Sequence, residues 1–460
     1  MAAKQLKNKL NKKTPLLMSP FGFALAACGG GGSTTETSSD NMGIGEQDQA
    51  QTFNRTVLLN PDGEAGVNYN LSATQSVNLP LNGGEVMIVA LSASSDGSTT
   101  LANEDPLPIK AFQYDDSLGL QDVSSLILEG KPQSVLTRNI ILGDFDGNGY
   151  EDVFLNNHGS EANTPFPGEA NTLLLNDGQK LALANDFNLP TVKDFSHNGS
   201  AGDFNGDGYD DLFIINFGSS GLIADYFLFG GSTGFSEPIY VRGNPPEGQF
   251  VIETGYEDNL SIPASVSIDV DQNDTIEVLG PKDMGTELGV RFVTLNVSDG
   301  KDVIFGVSDV VWAGTSEGAH QAVSADLNGD GFEDALFYGF TPDGNGMLQM
   351  LLSTSDGLVD ASSQLTDTGG VFPIAQGTLD FKVLDYDRDG DDDILFVRYD
   401  EEWSEYGVAL QNNGNAVFSL VDFPSDITSV FHILTNSGEQ SQFVYVDAQP
   451  DEMLVAQVLV

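Results

Sequence analysis

The chain has 460 residues, 40% of them hydrophobic and 28 of them Phe, which is enough apolar mass for a packed core and excludes global disorder. Acidic residues number 68 against 18 basic ones. Such a surface repels nucleic acid and anionic lipid and attracts cations, so nucleic acid is excluded as a partner.

The first thirteen positions hold five lysines (Lys4, Lys7, Lys9, Lys12, Lys13) and no acid. An apolar run over 15–27 follows. It is too short to span a bilayer and has the length of a secretory signal's apolar region. The sequence Leu25-Ala26-Ala27-Cys28 resembles a bacterial lipobox, in which Cys28 is lipidated and becomes the mature N-terminus. Cys28 is the only cysteine, which suits an anchor and excludes an internal disulfide. Residues 1–27 therefore read as a lipoprotein signal peptide. Residues 28–51, rich in Gly, Ser and Thr, read as a flexible tether. The implied location is a bacterial cell envelope, on the outer membrane, facing the periplasm or the exterior, with the lipid as the only membrane contact.

From residue 52 onward short apolar runs alternate with Gly, Asn and Asp, without helical periodicity, which predicts an all-β fold. Five segments align: ILGDFDGNGYEDVFL, SAGDFNGDGYDDLFI, SIDVDQNDTIEVL, SADLNGDGFEDALF and VLDYDRDGDDDILF. Their first aspartates, Asp144, Asp203, Asp269, Asp326 and Asp385, are separated by 59, 66, 57 and 59 residues. After each segment come an apolar strand and a small polar turn, as in NTLLLNDGQKLAL and VALQNNGNAVF. Residues 85–97 with IKAFQYDDSLGL keep the strands of a unit without its loop. Residues 54–67 look like the second half of a unit, and FVYVDAQPDEMLVA like a first half. Joining these two ends gives a composite unit. The prediction for 52–460 is a β-propeller of about seven four-stranded blades, closed by pairing of the N- and C-terminal strands. A closed ring leaves no exposed sheet edge. An open β-solenoid, the rival, uses much shorter repeats.

In Asp203-Phe-Asn205-Gly-Asp207-Gly-Tyr209-Asp-Asp211 oxygen-bearing side chains stand at positions 1, 3, 5 and 9. A tight loop with alternate carboxylates turns hard oxygen ligands inward, as calcium requires. Position 7 would contribute its backbone carbonyl, so its identity varies: Tyr150, Tyr209, Thr275, Phe332, Asp391. Glycine at position 6 suits a left-handed turn. The third loop has Asp274 there and Glu277 at position 9, which marks its site as weaker or empty. An EF-hand would need Glu at position 12 and flanking helices; Leu155, Ile214, Phe337 and Phe396 stand there instead.

These D-F-[DN]-G-[DN]-G-Y-x-D blocks resemble FG-GAP/VCBS repeats, the family of the integrin α-subunit propeller and many bacterial surface proteins. The resemblance covers about residues 52–460 and implies structural calcium, four to five ions in all. Carried over position by position, the ligands are Asp144, Asp146, Asn148 and Asp152; Asp203, Asn205, Asp207 and Asp211; Asp326, Asn328, Asp330 and Asp334; and Asp385, Asp387, Asp389 and Asp393. The third set is Asp269, Asp271, Asn273 and Glu277.

His197 and His320 each lie six residues before a loop's first Asp, so they occupy equivalent blade positions near the start of the innermost strand. There they either contact a ligand at the channel mouth or hydrogen-bond between blades. His158 and His432 have no such correspondence. No G-x-S-x-G, H-E-x-x-H, Cys nucleophile or phosphate loop occurs, so no enzyme activity is expected. Acid pairs are numerous enough to conceal a glycosidase-like couple. The reading is a binding or adhesion module for a protein or carbohydrate ligand at the envelope surface. The alternatives are a hydrolase or lyase acting on polysaccharide, and a structural lipoprotein of an envelope complex.

Overall fold

In a computed structural model the described residues are 54–59, 69–93, 105–115, 118–160, 167–216, 225–241, 264–283, 290–298, 302–315, 318–366, 369–372, 381–399 without 386 and 388, 405–422, 432–435, 441–444, 447–449 and 452–457. The segments expected to be a signal peptide with Cys28 and a tether, residues 1–51, lie outside them.

The strands group into successive antiparallel sheets, each made by the chain meandering outward. Blade 1 contains Tyr69–Leu79, Gly84–Ala93, Lys110–Asp115 and Gly119–Asp122. Blade 2 contains Thr137–Gly143, Asp152–Asn157, Thr172–Asn176 and Leu181–Leu183, with Leu128–Glu129 added in parallel at its outer edge. Blade 3 is Ser196–Gly202, Asp211–Asn216, Tyr226–Leu228 and Ile239–Tyr240. Blade 4 is Val266–Ile268, Glu277–Asp283, Val290–Ser298 and Asp302–Val311. Blade 5 is Gln321–Ala325, Asp334–Phe340, Gly346–Leu352 and Val359–Asp360, with Val371–Phe372 beside its third strand. Blade 6 is Phe381–Leu384, Asp393–Tyr399, Glu405–Asn412 and Phe418–Asp422. First strands of consecutive blades touch one another from blade 1 to blade 6, so they are the innermost strands around a central channel.

Among the described residues there are six full blades, not the expected seven. The chain ends do pair: Asn54–Leu59 runs antiparallel to Glu452–Gln457. Among the described residues that sheet has three strands, the third being Asp447–Gln449. His432–Thr435 and Ser441–Val444 form a separate hairpin lying against the first two strands of blade 1. The segment FVYVDAQPDEMLVA thus divides between two sheets. It lacks the loop that spaces the first strand from the second in blades 2 to 6, and Asp447–Gln449 turns back at once onto Glu452–Gln457.

The core lies between blades. Val86, Ile88 and Ala90 of blade 1 meet Val153, Leu155 and Leu174 of blade 2. Phe145, Phe154 and Leu173 of blade 2 meet Leu212, Ile214 and Tyr226 of blade 3, and comparable clusters join blades 3 to 4, 4 to 5 and 5 to 6. Each second strand is therefore covered on both faces, which is why it reads as a continuous apolar run rather than an alternating one: Asp152–Asn157, Asp211–Asn216 and Asp334–Phe340 are buried along almost their whole length. Burying one Leu or Phe contributes about 1.5–3 kcal/mol, so these five seams carry most of the cohesion.

Candidate metal centres and the channel cluster

Every predicted metal loop is the hairpin between the first and second strands of its blade. The residue before position 1 pairs with position 9 in all five: Gly143 with Asp152, Gly202 with Asp211, Ile268 with Glu277, Ala325 with Asp334, Leu384 with Asp393. One hydrogen-bond scheme recurs. The position 1 carboxylate accepts from the N–H groups of positions 5 and 6: Asp144 from Asn148 (2.9 Å) and Gly149 (2.8 Å), Asp203 from Asp207 (3.0 Å) and Gly208 (2.8 Å). Asp326 and Asp385 do the same. The position 5 side chain then accepts from the N–H of position 7, as Asn148 does from Tyr150 and Asp330 from Phe332.

Position 9 has a different task. One oxygen of Asp152 accepts from the N–H of Phe145 and the other from the N–H of Asn176 on the third strand. Asp211 holds Phe204 and Gly230 in the same manner, and Asp334 holds Leu327 and Ser353. Asp393 accepts from the N–H of Asn412. Asp152, Asp211, Asp334 and Asp393 are fully buried. Burial pushes the Asp152 and Asp211 carboxyls up to about 8 and that of Asp334 to about 7, opposed by those backbone N–H donors and reinforced by neighbouring loop acids. A cation bound in the loop would favour the ionised carboxylates and so oppose that rise.

The third loop follows the scheme in spite of its sequence. Asp269 accepts from the N–H of Asn273 and Asp274, and Asn273 from that of Thr275. Asp274 adopts φ +67, the left-handed turn that Gly149, Gly208 and Gly331 make at φ +89, +89 and +90. Aspartate tolerates that region better than most residues with a side chain. The longer Glu277 still reaches the N–H of Val270, and its other oxygen accepts from Asn296 Nδ2.

Where position 3 is aspartate, three carboxylates converge. Ligand oxygens of Asp144, Asp146 and Asp152 lie within 4.8 Å of one another, as do those of Asp269, Asp271 and Glu277, and of Asp385, Asp387 and Asp393. Blades 3 and 5 have Asn205 and Asn328 at that position, each accepting from the N–H of position 5. The donor sets are all oxygen, anionic and clustered, and so fit a hard divalent cation such as calcium.

Sequence spacing did not reveal the cross-blade contacts. Asp210, position 8 of the blade 3 loop, accepts from the N–H of Asp144 (2.8 Å) and returns its own N–H to Asp144 O (3.1 Å). The ring of Tyr209 lies over Gly147 of the blade 2 loop. Asn176 and Asn412, which open the turn after the third strand, donate to Glu151 O and Asp392 O, fixing the second strand's start. Their only sequence signal is the repeated Asn before the D-G or N-G pair.

The predicted ligand-contacting histidines lie at the opposite end of the innermost strands. His197 is within the first strand of blade 3, and His320 immediately precedes that of blade 5. His158 joins them, its ring centroid 5.4 Å from that of His197 and its ring tilted against Phe195. The side chain of His432 lies outside the described ones. Burial and the Arg138 guanidinium hold His158 down to about 2 and His197 to about 3, with His320 adding to the second.

The sequence profile of the FG-GAP-like repeat matches residues 144–214. No curated protein sequence matches the chain. Among solved structures, the exotype rhamnogalacturonan lyase YesX is 13% identical with a TM-score of 0.28, covering 87% of this chain and 57% of its own. The chain therefore spans little more than half the length of that lyase. The six-bladed fucose-recognising lectin of Aleuria aurantia is 10% identical (TM-score 0.36; 78% and 95% covered), and the V. cholerae biofilm matrix protein Bap1 11% (TM-score 0.35; 88% and 70%). The chain is thus a β-propeller in which residues 144–214 match the FG-GAP-like repeat and the loops of blades 4 to 6 share the loop hydrogen bonding of that stretch.

Proposed function

We propose that this chain is a calcium-braced, non-enzymatic propeller that binds protein or carbohydrate ligands at a bacterial cell envelope, where a lipid on Cys28 holds it. The observation that carries the reading is the commitment of the loop carboxylates. Asp152, Asp211 and Asp334 each have both oxygens engaged by backbone N–H groups, so they are built to position backbone and cation rather than to exchange protons with a substrate. Calcium here braces a scaffold. The lipobox Leu25-Ala26-Ala27-Cys28 supports the anchor. Glycan-array and pull-down binding by the calcium-loaded protein, with chromatography of each bound glycan afterwards, tests the proposal. Capture without new products is expected; release of shortened or unsaturated saccharides would favour the polysaccharide-cleaving reading instead.

A further inference from the structure

Neighbouring metal loops are joined by hydrogen bonds that run from one set of expected ligands to the next. In blade 2 the N–H of Phe145, position 2 of the loop, goes to Asp152 at position 9 (3.1 Å). The carbonyl of the same residue reaches out of the blade: it accepts from the N–H of Gly231, just after the third strand of blade 3 (3.0 Å). Gly230 beside it donates its own N–H to Asp211, position 9 of the blade 3 loop (2.8 Å). A short run of backbone thus connects the buried carboxylate of one site with that of the other. The approach is close enough to need glycine, since a Cβ on Gly230 would lie 2.2 Å from Asp210 O and 3.0 Å from Phe145 O.

A second bridge meets the start of the blade 2 ligand set. Asp210, next to Asp211 in the chain, accepts from the N–H of Asp144 at position 1 of that loop (2.8 Å). Tyr209, whose carbonyl is the expected position 7 ligand of blade 3, lays its ring over Gly147 of blade 2. Blades 5 and 6 repeat the backbone bridge. Leu327 donates its N–H to Asp334, its carbonyl accepts from Asn412 Nδ2 (2.9 Å) and the N–H of Ala416 (3.0 Å), and the N–H of Asn412 goes to Asp393. Blade 4 departs from the side-chain bridge. Its position 8 is Ile276, with Cγ2 3.0 Å from where a Cβ on Gly202 would stand, the place that the Asp210 side chain takes beside Gly143. An apolar group there cannot hold an N–H of the blade 3 loop.

We propose that calcium binding in the loops of blades 2 and 3 is positively coupled, with Asp210 as the positioning residue between the two sites. The inference rests on the calcium-braced reading above and adds how two of its sites fill. A loop must fix its ligands when an ion arrives, at a cost in conformational entropy. An ion in blade 3 draws in Asp211 and the Tyr209 carbonyl. Through the two bridges this holds Asp144, Phe145 and Asp152 of blade 2, so the second ion has less left to order. By linkage an ion in blade 2 helps blade 3 equally. Repulsion between the ions works against the coupling, and it is screened with a Debye length of about 8 Å at physiological ionic strength.

The test is a titration of the calcium-stripped full chain with Tb³⁺ at physiological ionic strength, read by tyrosine-sensitised luminescence. Position 7 is tyrosine only in blades 2 and 3. The one other tyrosine within the five loops, Tyr386 at position 2, is replaced by Phe, as Phe145 and Phe204 stand at that position in blades 2 and 3. A Hill coefficient above one is expected. Asp210→Ala should bring it to one and raise the midpoint about two- to tenfold, the contribution of one net hydrogen bond. Asp210→Asn keeps an acceptor oxygen and should restore most of the cooperativity. If Asp210→Ala fails to fold, Asp146→Ala decides. It removes a blade 2 ligand that accepts within its own loop, and the remaining Tyr209 signal must move to higher Tb³⁺. A Hill coefficient of one or less before the Asp210 change, unchanged cooperativity in Asp210→Ala, or an unmoved Tyr209 midpoint in Asp146→Ala overturns the coupling and leaves the calcium brace standing. No Tb³⁺ binding at all would overturn the brace together with it.

Discussion

At the scale of single residues, loop acids at different positions carry different loads. Asp152 satisfies two buried N–H groups whether or not an ion is present, whereas Asp146 accepts only from Asn148 within its own loop. Asp152→Ala should therefore lower unfolding free energy by about 2–6 kcal/mol in both calcium and chelator, at about 1–3 kcal/mol for each of the two orphaned donors. Asp146→Ala should lower it in calcium alone, and urea denaturation under both conditions separates the two. The histidines give a pH signature. Burial, and after it the charges of Arg138 and His320, hold the folded pKa of His197, whose ring lies beside that of His158, at about 3, below the ordinary 6.5. The unfolded chain takes up a proton below pH 6.5 that the folded chain refuses. This contribution is complete above pH 6.5 and is lost as pH falls toward 3, by up to about 1.4 kcal/mol per pH unit. His197→Gln should flatten the acid limb of a stability-against-pH curve; an unchanged limb would contradict the assignment. Positions 1, 3, 5 and 9 were legible in the sequence because metal geometry is written into residue spacing. Asp210 was not, because its contact with Asp144 arises from a neighbouring blade, which leaves no local pattern.

At the scale of elements, the loop is a hairpin closed by the pair before position 1 and at position 9, and it docks on the next blade. Gly147 shows both constraints: φ is +73, and a Cβ there would come within 2.5 Å of the Tyr209 ring from blade 3. Gly208 has φ +89 with open space around its Cβ position. Gly208→Ala should cost about 1 kcal/mol from the left-handed conformation alone, and Gly147→Ala distinctly more because the Tyr209 ring must also move. Equal losses in urea melts would mean that the Tyr209 contact contributes nothing. The blade 4 loop was the least legible: its sequence departs from the repeat at Asp274 and Glu277, yet Asp274 takes the glycine conformation and Glu277 reaches the same N–H. Backbone hydrogen bonds, more than side-chain identity, preserve this loop.

At the scale of the molecule, all-β architecture, repeat period and pairing of the chain ends were legible because each blade is one local meander. The blade number was not. A strand-like segment near the C-terminus does not announce with which sheet it will pair, and Ser441–Val444 and Glu452–Gln457 joined different ones. Six blades joined by five apolar seams, with the chain ends beside blade 1, leave no disulfide to close the ring. We assign that role to calcium in the loops of blades 2 to 6. Each saturated site adds about 2.7 kcal/mol at a hundredfold excess over its dissociation constant. Thermal melts of the full chain in calcium and in chelator, paired with calorimetric counting of bound ions, test this most directly. Four to five bound ions and a midpoint that falls in chelator are expected; a midpoint unmoved by chelator would rule out a calcium brace.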